Sequence, residues 1–542
     1  MRTWSPASAN RVGVLAASAE AAPARYRIRA LAFAIFAVCL LLAGRAVQLA
    51  FSGDPLGPSR QVARSEAVAR ADIVDRNGVL LATTVRAFAL TASPERVRDA
   101  SGTADMLRSV FPELDRATLI RRLTDRSRRL VYLRRSLTPT LRARVEALEI
   151  AGIGFEQEQR RSYPQGALAA HVLGFTDVDL QPLAGVERGL DGLIREAGAD
   201  GRPVRLSIDV RVQYALETEL ARSAEAAGAS GAAAVLLDGR TGETLALASW
   251  PAFDPNEAGR APEASRRDRV AGDVHELGST VKPFTIAMAL EEDLTRPGEV
   301  FDLSRPMVVN GAAIEDHEPI EGMASLRDII AHSSNIGAAR LALRLGRDRQ
   351  RAYLDRLGLT QAATLEVGRN QAPLAPAAGA ERDVAGLGFG YGLAATPASL
   401  AGAYTVFVND GARVAPTLLA RGDAPITPTP VFTPEVTRQV LGYLRAAVTH
   451  GTGRAADVPG LAVAGKTGTA EKLGTDATYD EGRNFSSFAG VFPATDPRYV
   501  IVVALDDAGA GGAGGVVAAP VVARTLRRVA PMLGLAVEAP VR

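Results

Sequence analysis

The sequence predicts a mixed α/β protein of the α+β kind, an antiparallel sheet flanked by helices, preceded by an elongated, loop-rich module. Three observations carry this. Apolar runs of strand length at 232–237, 243–249, 461–470, 486–492 and 499–505 bracket a helical block instead of alternating with helices. The texture changes near residue 206, from arginine-rich with frequent turn signals to longer periodic segments. With 542 residues, 47% of them hydrophobic, the chain can bury more than one core.

The N-terminal segment predicts a membrane anchor. Ala30 to Gly44 is an uninterrupted apolar run, extended past Arg45 to Phe51. Together these supply the ~20 residues that span hydrocarbon, with Arg45 able to snorkel to the interface. Arg2, Arg11, Arg25, Arg27 and Arg29 precede the run with only Glu20 opposing them, which keeps residues 1–29 cytoplasmic and makes 30–51 a transmembrane helix. A cleaved signal peptide is the alternative, but no small-x-small site closes the run.

Residues 52–205 form the first exported region. Arg70 to Ala82 reads as two short strands around Asn77-Gly78. Residues 104–149 have helical periodicity, with Arg121, Arg122, Arg128, Arg129, Arg134 and Arg135 on a solvated face. No catalytic constellation shows here, so the region reads as a spacer or docking pedestal.

Residues 206–535 form the second region. Ala232–Leu237 and Glu243–Ser249 flank Asp238-Gly-Arg-Thr-Gly242, a hairpin signal. Helices are expected at 279–291, 325–345, 434–448 and 524–533, and strands at 461–470, 486–492 and 499–505. The run Gly509 to Gly515 reads as a surface loop, because no Gly-Lys-Ser/Thr follows it.

Composition excludes several functions. A net charge of +2 with scattered signs offers no basic block for nucleic acid. One cysteine, Cys39, and five histidines without ligand spacing argue against a metal site, and nothing calls for a cofactor. Any catalysis must come from ordinary side chains.

The lysines point to it. Only three of the 62 Lys and Arg residues are lysines, so a chain that otherwise writes arginine has kept lysine at three places. Arginine stays protonated, whereas a desolvated lysine can act as a base. Lys282 follows Ser279 by three residues, which on a helix puts nucleophile and base on one face. Pro283 places Ser279 near the helix N-terminus, where free N–H groups favour an oxyanion. Ser333-Ser334-Asn335 offers a hydroxyl and an amide two residues apart. Lys466-Thr467-Gly468-Thr469 lies on a strand whose alternation puts both threonines on one face, with the glycine leaving room for close backbone approach.

Each motif alone is weak. Together, in this order, they resemble the serine penicillin-recognising enzymes. Asp75-Arg-Asn-Gly78, Tyr163-Pro164, Gly185-Val-Glu187, Leu206-Ser-Ile-Asp209, Phe253-Asp-Pro-Asn256, Gly390-Tyr-Gly392, Gly451-Thr-Gly453 and Ala464 to Ala470 extend the resemblance to class B penicillin-binding proteins. Thr469-Ala-Glu-Lys472 and Ser486-Ser-Phe-x-Gly490 make the chain most similar to division-specific transpeptidases of the FtsI type. Leu277 departs from the family, where proline is frequent.

The resemblance implies a penicillin-recognising transpeptidase domain on a pedestal outside the cytoplasmic membrane, crosslinking peptidoglycan stem peptides and acylated by β-lactams. It implies Ser279 as nucleophile, Lys282 as base, Lys466 as the cation that depresses the Lys282 pKa, and Ser333 as proton relay. Asn335, Thr467, Gly468 and Thr469 would bind substrate, with N–H groups of Ser279 and Thr469 as the oxyanion hole. Implied partners are the membrane, a lipid II polymerase of the SEDS (FtsW-like) type and other division proteins. Rival readings are a β-lactamase, which needs no anchor or pedestal, an elongation-type transpeptidase, and an inactive envelope scaffold. A bifunctional wall synthase would need a glycosyltransferase domain for which the first region is too short.

Overall fold

The computed structural model describes residues 33, 35–43, 70–375, 380–473, 479–509 and 512–537. The chain divides into a unit ending at Val68 and a second unit, Ala69–Arg542. In the first, residues 33 and 35–43 are helical and exposed. Among the described residues no helix is long and apolar enough to cross a membrane. The expected tail, 1–29, and most of the expected span, 30–51, lie outside the described residues.

The second unit starts with the region expected to form the pedestal. A short strand, Ile73–Val74, turns through Asn77-Gly78 and pairs antiparallel with β1 (Leu80–Ala92), as expected, although β1 runs on for 13 residues. The Asp75 carboxylate closes the turn by accepting from the N–H groups of Asn77 and Val79, each at 2.8 Å. Helices α1 (Ala100–Val110) and α2 (Arg116–Thr124) are each capped by an aspartate, Asp99 and Asp115.

The continuous helical expectation for 104–149 fails at β2 (Val131–Leu137), a strand paired with β1 and followed by α3 (Pro139–Glu146). Val131, Leu133 and Leu137 are buried in this stretch while Tyr132 is exposed, so the packed β1 edge wins over local periodicity. Arg134 and Arg135 accordingly lie on a strand, ion-paired with Glu113 and with Glu158 and Asp179. β3 (Ile153–Ser162) pairs with the other edge of β1. Leu90, Leu107, Phe111, Leu123 and Leu133 form a small core of their own.

Past residue 206 the chain builds a five-stranded antiparallel sheet. α4 (Val210–Ala226) leads into the hairpin of β4 (Gly231–Asp238) and β5 (Thr244–Trp250), closed as expected at Asp238–Gly242. α5 (Lys282–Glu291) then runs through the interior, followed by the small hairpin β6 (Met307–Val309) and β7 (Ala312–Ile314). Where one helix was expected over 325–345 there are two, α6 (Leu326–Ala331) and α7 (Asn335–Leu345), broken at 332–334. α8 (Pro397–Tyr404) and α9 (Pro434–Thr449) complete the helical block. The chain closes with β8 (Ala464–Leu473), β9 (Tyr479–Phe492), β10 (Tyr499–Asp506) and α10 (Ala519–Val529), the last beginning earlier than expected.

Sheet order is β8-β9-β10-β4-β5. Period-two alternation sends Leu236, Ile501 and Val503 into one core with α4 and α10, and Val235, Val500 and Val502 into another with α5, α8 and α9. Both faces are covered, so β10 reads as apolar throughout. The second core also takes in Ile73, Leu81, Tyr163 and Val186 of the pedestal. Polar pins reinforce that junction: the Asn256 side chain accepts from Tyr163 N–H at 3.0 Å and donates to its carbonyl at 2.9 Å.

Candidate active site

Ser279 sits half-buried in a 3-10 turn, Gly278–Val281, that runs straight into α5. Gly278 has φ +51°, and a Cβ there would lie 3.2 Å from the Thr469 carbonyl oxygen. Glycine therefore permits both the left-handed turn and the close approach of β8. Pro283 falls in the first turn of α5, where its missing N–H costs nothing.

One turn along, Lys282 is fully buried. Its Nζ lies 2.9 Å from Ser279 Oγ, 3.1 Å from Ser333 Oγ and 2.8 Å from Asn335 Oδ1, and it donates to the Ser333 carbonyl. Ser333 Oγ donates to Ser279 Oγ at 2.9 Å. Asn335 Nδ2 donates to Glu315 O at 2.9 Å, which orients Oδ1 toward the lysine. Ser333 O and Asn335 Oδ1 can only accept, so a neutral amine can give them its two N–H groups and keep its lone pair for a serine hydroxyl. That is the arrangement of a base beside a nucleophile.

Electrostatics supports the same state. Burial, and then the nearby Lys466 charge, hold the Lys282 pKa well below that of a free lysine, with Asp316 opposing. Lys466 is itself fully buried, and burial brings its pKa down to about 7. Its Nζ donates to Thr467 O at 3.0 Å.

The break between α6 and α7 supplies Ser333 and Asn335. Ser333 has φ +62°, a left-handed conformation unfavourable for a residue with a Cβ, held at a point where position matters. The preceding helix is fixed by a capping box between Ser325 and Asp328.

β8 contributes the opposite wall. Gly468 has no room for a side chain: a Cβ would lie 2.5 Å from Ser487 Oγ and 3.0 Å from Thr280 Cγ2, so β8 packs directly on the Ser279 turn. Thr467 Oγ1 hydrogen-bonds Thr452 Oγ1 at 2.6 Å, and Thr469 Oγ1 accepts from Gly514 N–H at 3.1 Å. Each threonine hydroxyl can still offer its proton to an anion. Gly514 in turn approaches both Gly468 O and Ser487 O, where a Cβ would clash at 2.4 Å, so the end of the glycine-rich run is packed against the site.

The three motifs therefore converge: Ser279, Lys282, Ser333 and Asn335 share one hydrogen-bonded cluster, and Lys466, Thr467, Gly468 and Thr469 line the adjoining strand. Lys472, the third lysine, lies apart, ion-paired with Asp506 and Asp507. Thr452 was visible only as part of Gly451-Thr-Gly453, without a role, and Asp316 sits in an aperiodic segment that gives no signal.

Comparison with known proteins agrees with this architecture. Residues 232–527 match the penicillin binding protein transpeptidase domain, and 65–184 match the penicillin-binding protein dimerisation domain. The chain is 38% identical to "Probable peptidoglycan D,D-transpeptidase FtsI" of Caulobacter vibrioides, covering 86% of this chain and 82% of that protein. It is 32% identical to peptidoglycan D,D-transpeptidase FtsI of Escherichia coli, covering 90% of each. Among solved structures, penicillin binding protein 3 of Mycobacterium tuberculosis in complex with aztreonam matches with a TM-score of 0.68 and 26% identity, over 87% of this chain and 98% of that one.

Proposed function

The chain belongs to the penicillin-binding protein transpeptidase family, and we propose that it is a division-type peptidoglycan D,D-transpeptidase working through a serine acyl-enzyme. The observation that carries the reading is the buried Lys282 amine 2.9 Å from Ser279 Oγ, with no carboxylate among its hydrogen-bond partners. A base so placed withdraws the hydroxyl proton as Ser279 attacks the carbonyl of a terminal D-Ala-D-Ala bond. Ser333, bonded to both groups, returns a proton to the departing D-alanine amine. The amine of a second stem peptide then attacks the ester, giving the crosslink and restoring the serine.

In this reading Thr467 and Thr469 receive the substrate carboxylate on a strand edge opened by Gly468, and Asn335 takes the peptide amide. N–H groups of Ser279 and Thr469 serve as the oxyanion hole, consistent with the close packing of β8 on the Ser279 turn. Lys466 keeps Lys282 deprotonated. β-Lactams, which present a strained amide and a carboxylate in the same relation, acylate the same serine.

The proposed organisation is a cytoplasmic tail (1–29), a membrane span (30–51), a pedestal (52–205) and a transpeptidase domain (206–535), with everything after the span outside the cytoplasmic membrane. The pedestal then faces the membrane-embedded partners, a SEDS-type lipid II polymerase and other division proteins. Incubating cell membranes with a fluorescent penicillin tests the reading: the chain should label stoichiometrically and stay with the membrane fraction. An unlabelled chain would leave a scaffold, and labelled soluble protein would remove the anchor. Depletion should give filamentous cells, whereas rounded cells would assign it to elongation.

A further inference from the structure

The turn that presents Ser333 and Asn335 is held from outside by a single carboxylate. Asp316 lies two residues past β7, half-buried in a largely exposed connection to α6. Its Oδ2 accepts from Ser334 Oγ at 2.6 Å, and its Oδ1 accepts from the N–H groups of Asn335 and, at 3.0 Å, Ile336. Ser334 Oγ itself accepts from Gly337 N–H at 3.0 Å. Three N–H groups at the start of α7, which a helix leaves unpaired, are therefore satisfied by one serine and one carboxylate brought from a distant segment. The neighbouring Glu315 carbonyl fixes the Asn335 amide.

This clasp matters because the turn's own backbone bonds, Ser333 N–H to Ile330 O at 3.3 Å and Ser334 N–H to Ile329 O at 2.9 Å, close the end of α6 and leave the first N–H groups of α7 to Asp316 and Ser334 Oγ. Ser333 is left-handed, and three of the hydrogen-bond acceptors around Lys282 Nζ (Ser333 O, Ser333 Oγ and Asn335 Oδ1) ride on it. We infer that Asp316 is a positioning residue for acylation: it holds the Ser333–Asn335 turn against Lys282 and supplies a negative charge facing that amine. The inference rests on the transpeptidase reading above. It assigns a role to a segment that touches neither nucleophile nor base.

Two effects separate cleanly by substitution. In Asp316→Asn, the amide oxygen still accepts from the backbone N–H groups and the amide nitrogen can donate to Ser334 Oγ, so the clasp survives without its charge. Asp316→Ala loses both. The charged groups acting on Lys282 are Lys466, from β8, and Asp316. Removing the carboxylate makes the ammonium form less favourable, so Lys282 should stay deprotonated to lower pH.

The test is the penicillin acylation rate against pH for the full chain and its Asp316→Ala, Asp316→Asn and Glu318→Gln variants, with melting temperatures in parallel. Glu318 is an exposed carboxylate on the same connection. Asp316→Ala should lose ~10²-fold in rate, as small misplacements of catalytic groups do. Asp316→Asn should recover most of that rate, with its acid limb moved to lower pH. Glu318→Gln should follow the wild type. An unmoved acid limb in Asp316→Asn, or wild-type rates in Asp316→Ala, would overturn the inference while leaving the serine mechanism intact. A wild-type chain that fails to acylate would instead remove the transpeptidase reading.

Discussion

Among the described residues four lysines and arginines are buried, two in the pedestal and two in the candidate site, and the two pairs are treated in opposite ways. Arg70 and Arg161 converge on Glu187: Arg70 Nη2 and Arg161 Nε lie 2.6 Å from its two carboxylate oxygens, and Arg70 also bonds Asp191. Burial alone would lower the Arg70 pKa, but Glu187 and Asp191 outweigh it, so the guanidinium is held charged. Lys282 and Lys466 have no carboxylate in contact. Burial lowers the pKa of both, that of Lys466 to about 7.

The difference teaches what each region is for. A buried charge with good partners locks structure, and removing one partner is costly. A buried amine without a carboxylate in contact destabilises the fold, and such perturbed groups cluster where protons move. The chain's choice of residue follows: the fixed sites carry arginine, which forks onto a carboxylate and stays charged, and the proposed base and its neighbouring cation are lysines. Lys472 is the control within the molecule, a lysine bonded to Asp506 and Asp507 near the end of β8.

The largest break in this comparison should come from Lys282→Arg. It keeps charge and removes basicity, so the acylation rate per folded molecule, measured with a penicillin, should fall by ~10²–10⁴-fold. Glu187→Gln strikes the other region, leaving Arg161 without a carboxylate. Chemical denaturation should show a loss of about 3–5 kcal/mol, with the acylation rate of the remaining folded protein little changed.

A pH profile sharpens the lysine side. On acidification Lys282 takes up the proton it must be without, so the rate falls. On the alkaline side Lys466 loses its charge from about pH 7, weakening the hold on an anionic substrate. The acylation rate should therefore be bell-shaped, not climb toward the pKa of a free lysine. Smallest of all, Lys472→Arg should change the rate by less than about twofold and stability by under ~0.5 kcal/mol, since an ion pair with two carboxylates suits either cation. A large effect there would erase the distinction between paired and unpaired lysines.

The site was legible because its chemistry is written in short local signals: Ser279 and Lys282 three apart, Pro283 marking the helix start, and Thr467 and Thr469 alternating on a strand. The sheet was legible because strands buried on both faces read as apolar runs. What escaped depended on distant partners. Val131–Leu137 became a strand because β1 offered it an edge, overriding a helical pattern of arginines. The clasp of Asp316 on Ser334 and Asn335 was invisible because it comes from another segment and leaves no periodic trace. The Arg70–Glu187–Arg161 cluster likewise joins residues far apart in sequence, so only the fold reveals it.

The central claim is that Ser279 is the acylated nucleophile. Peptide mapping by mass spectrometry after penicillin treatment tests it directly, using wild type and Ser279→Ala with matched melting temperatures. One adduct per chain on the peptide containing Ser279, and none in the variant, is the result expected. A stoichiometric adduct on any other residue, or one that persists in Ser279→Ala, would contradict it.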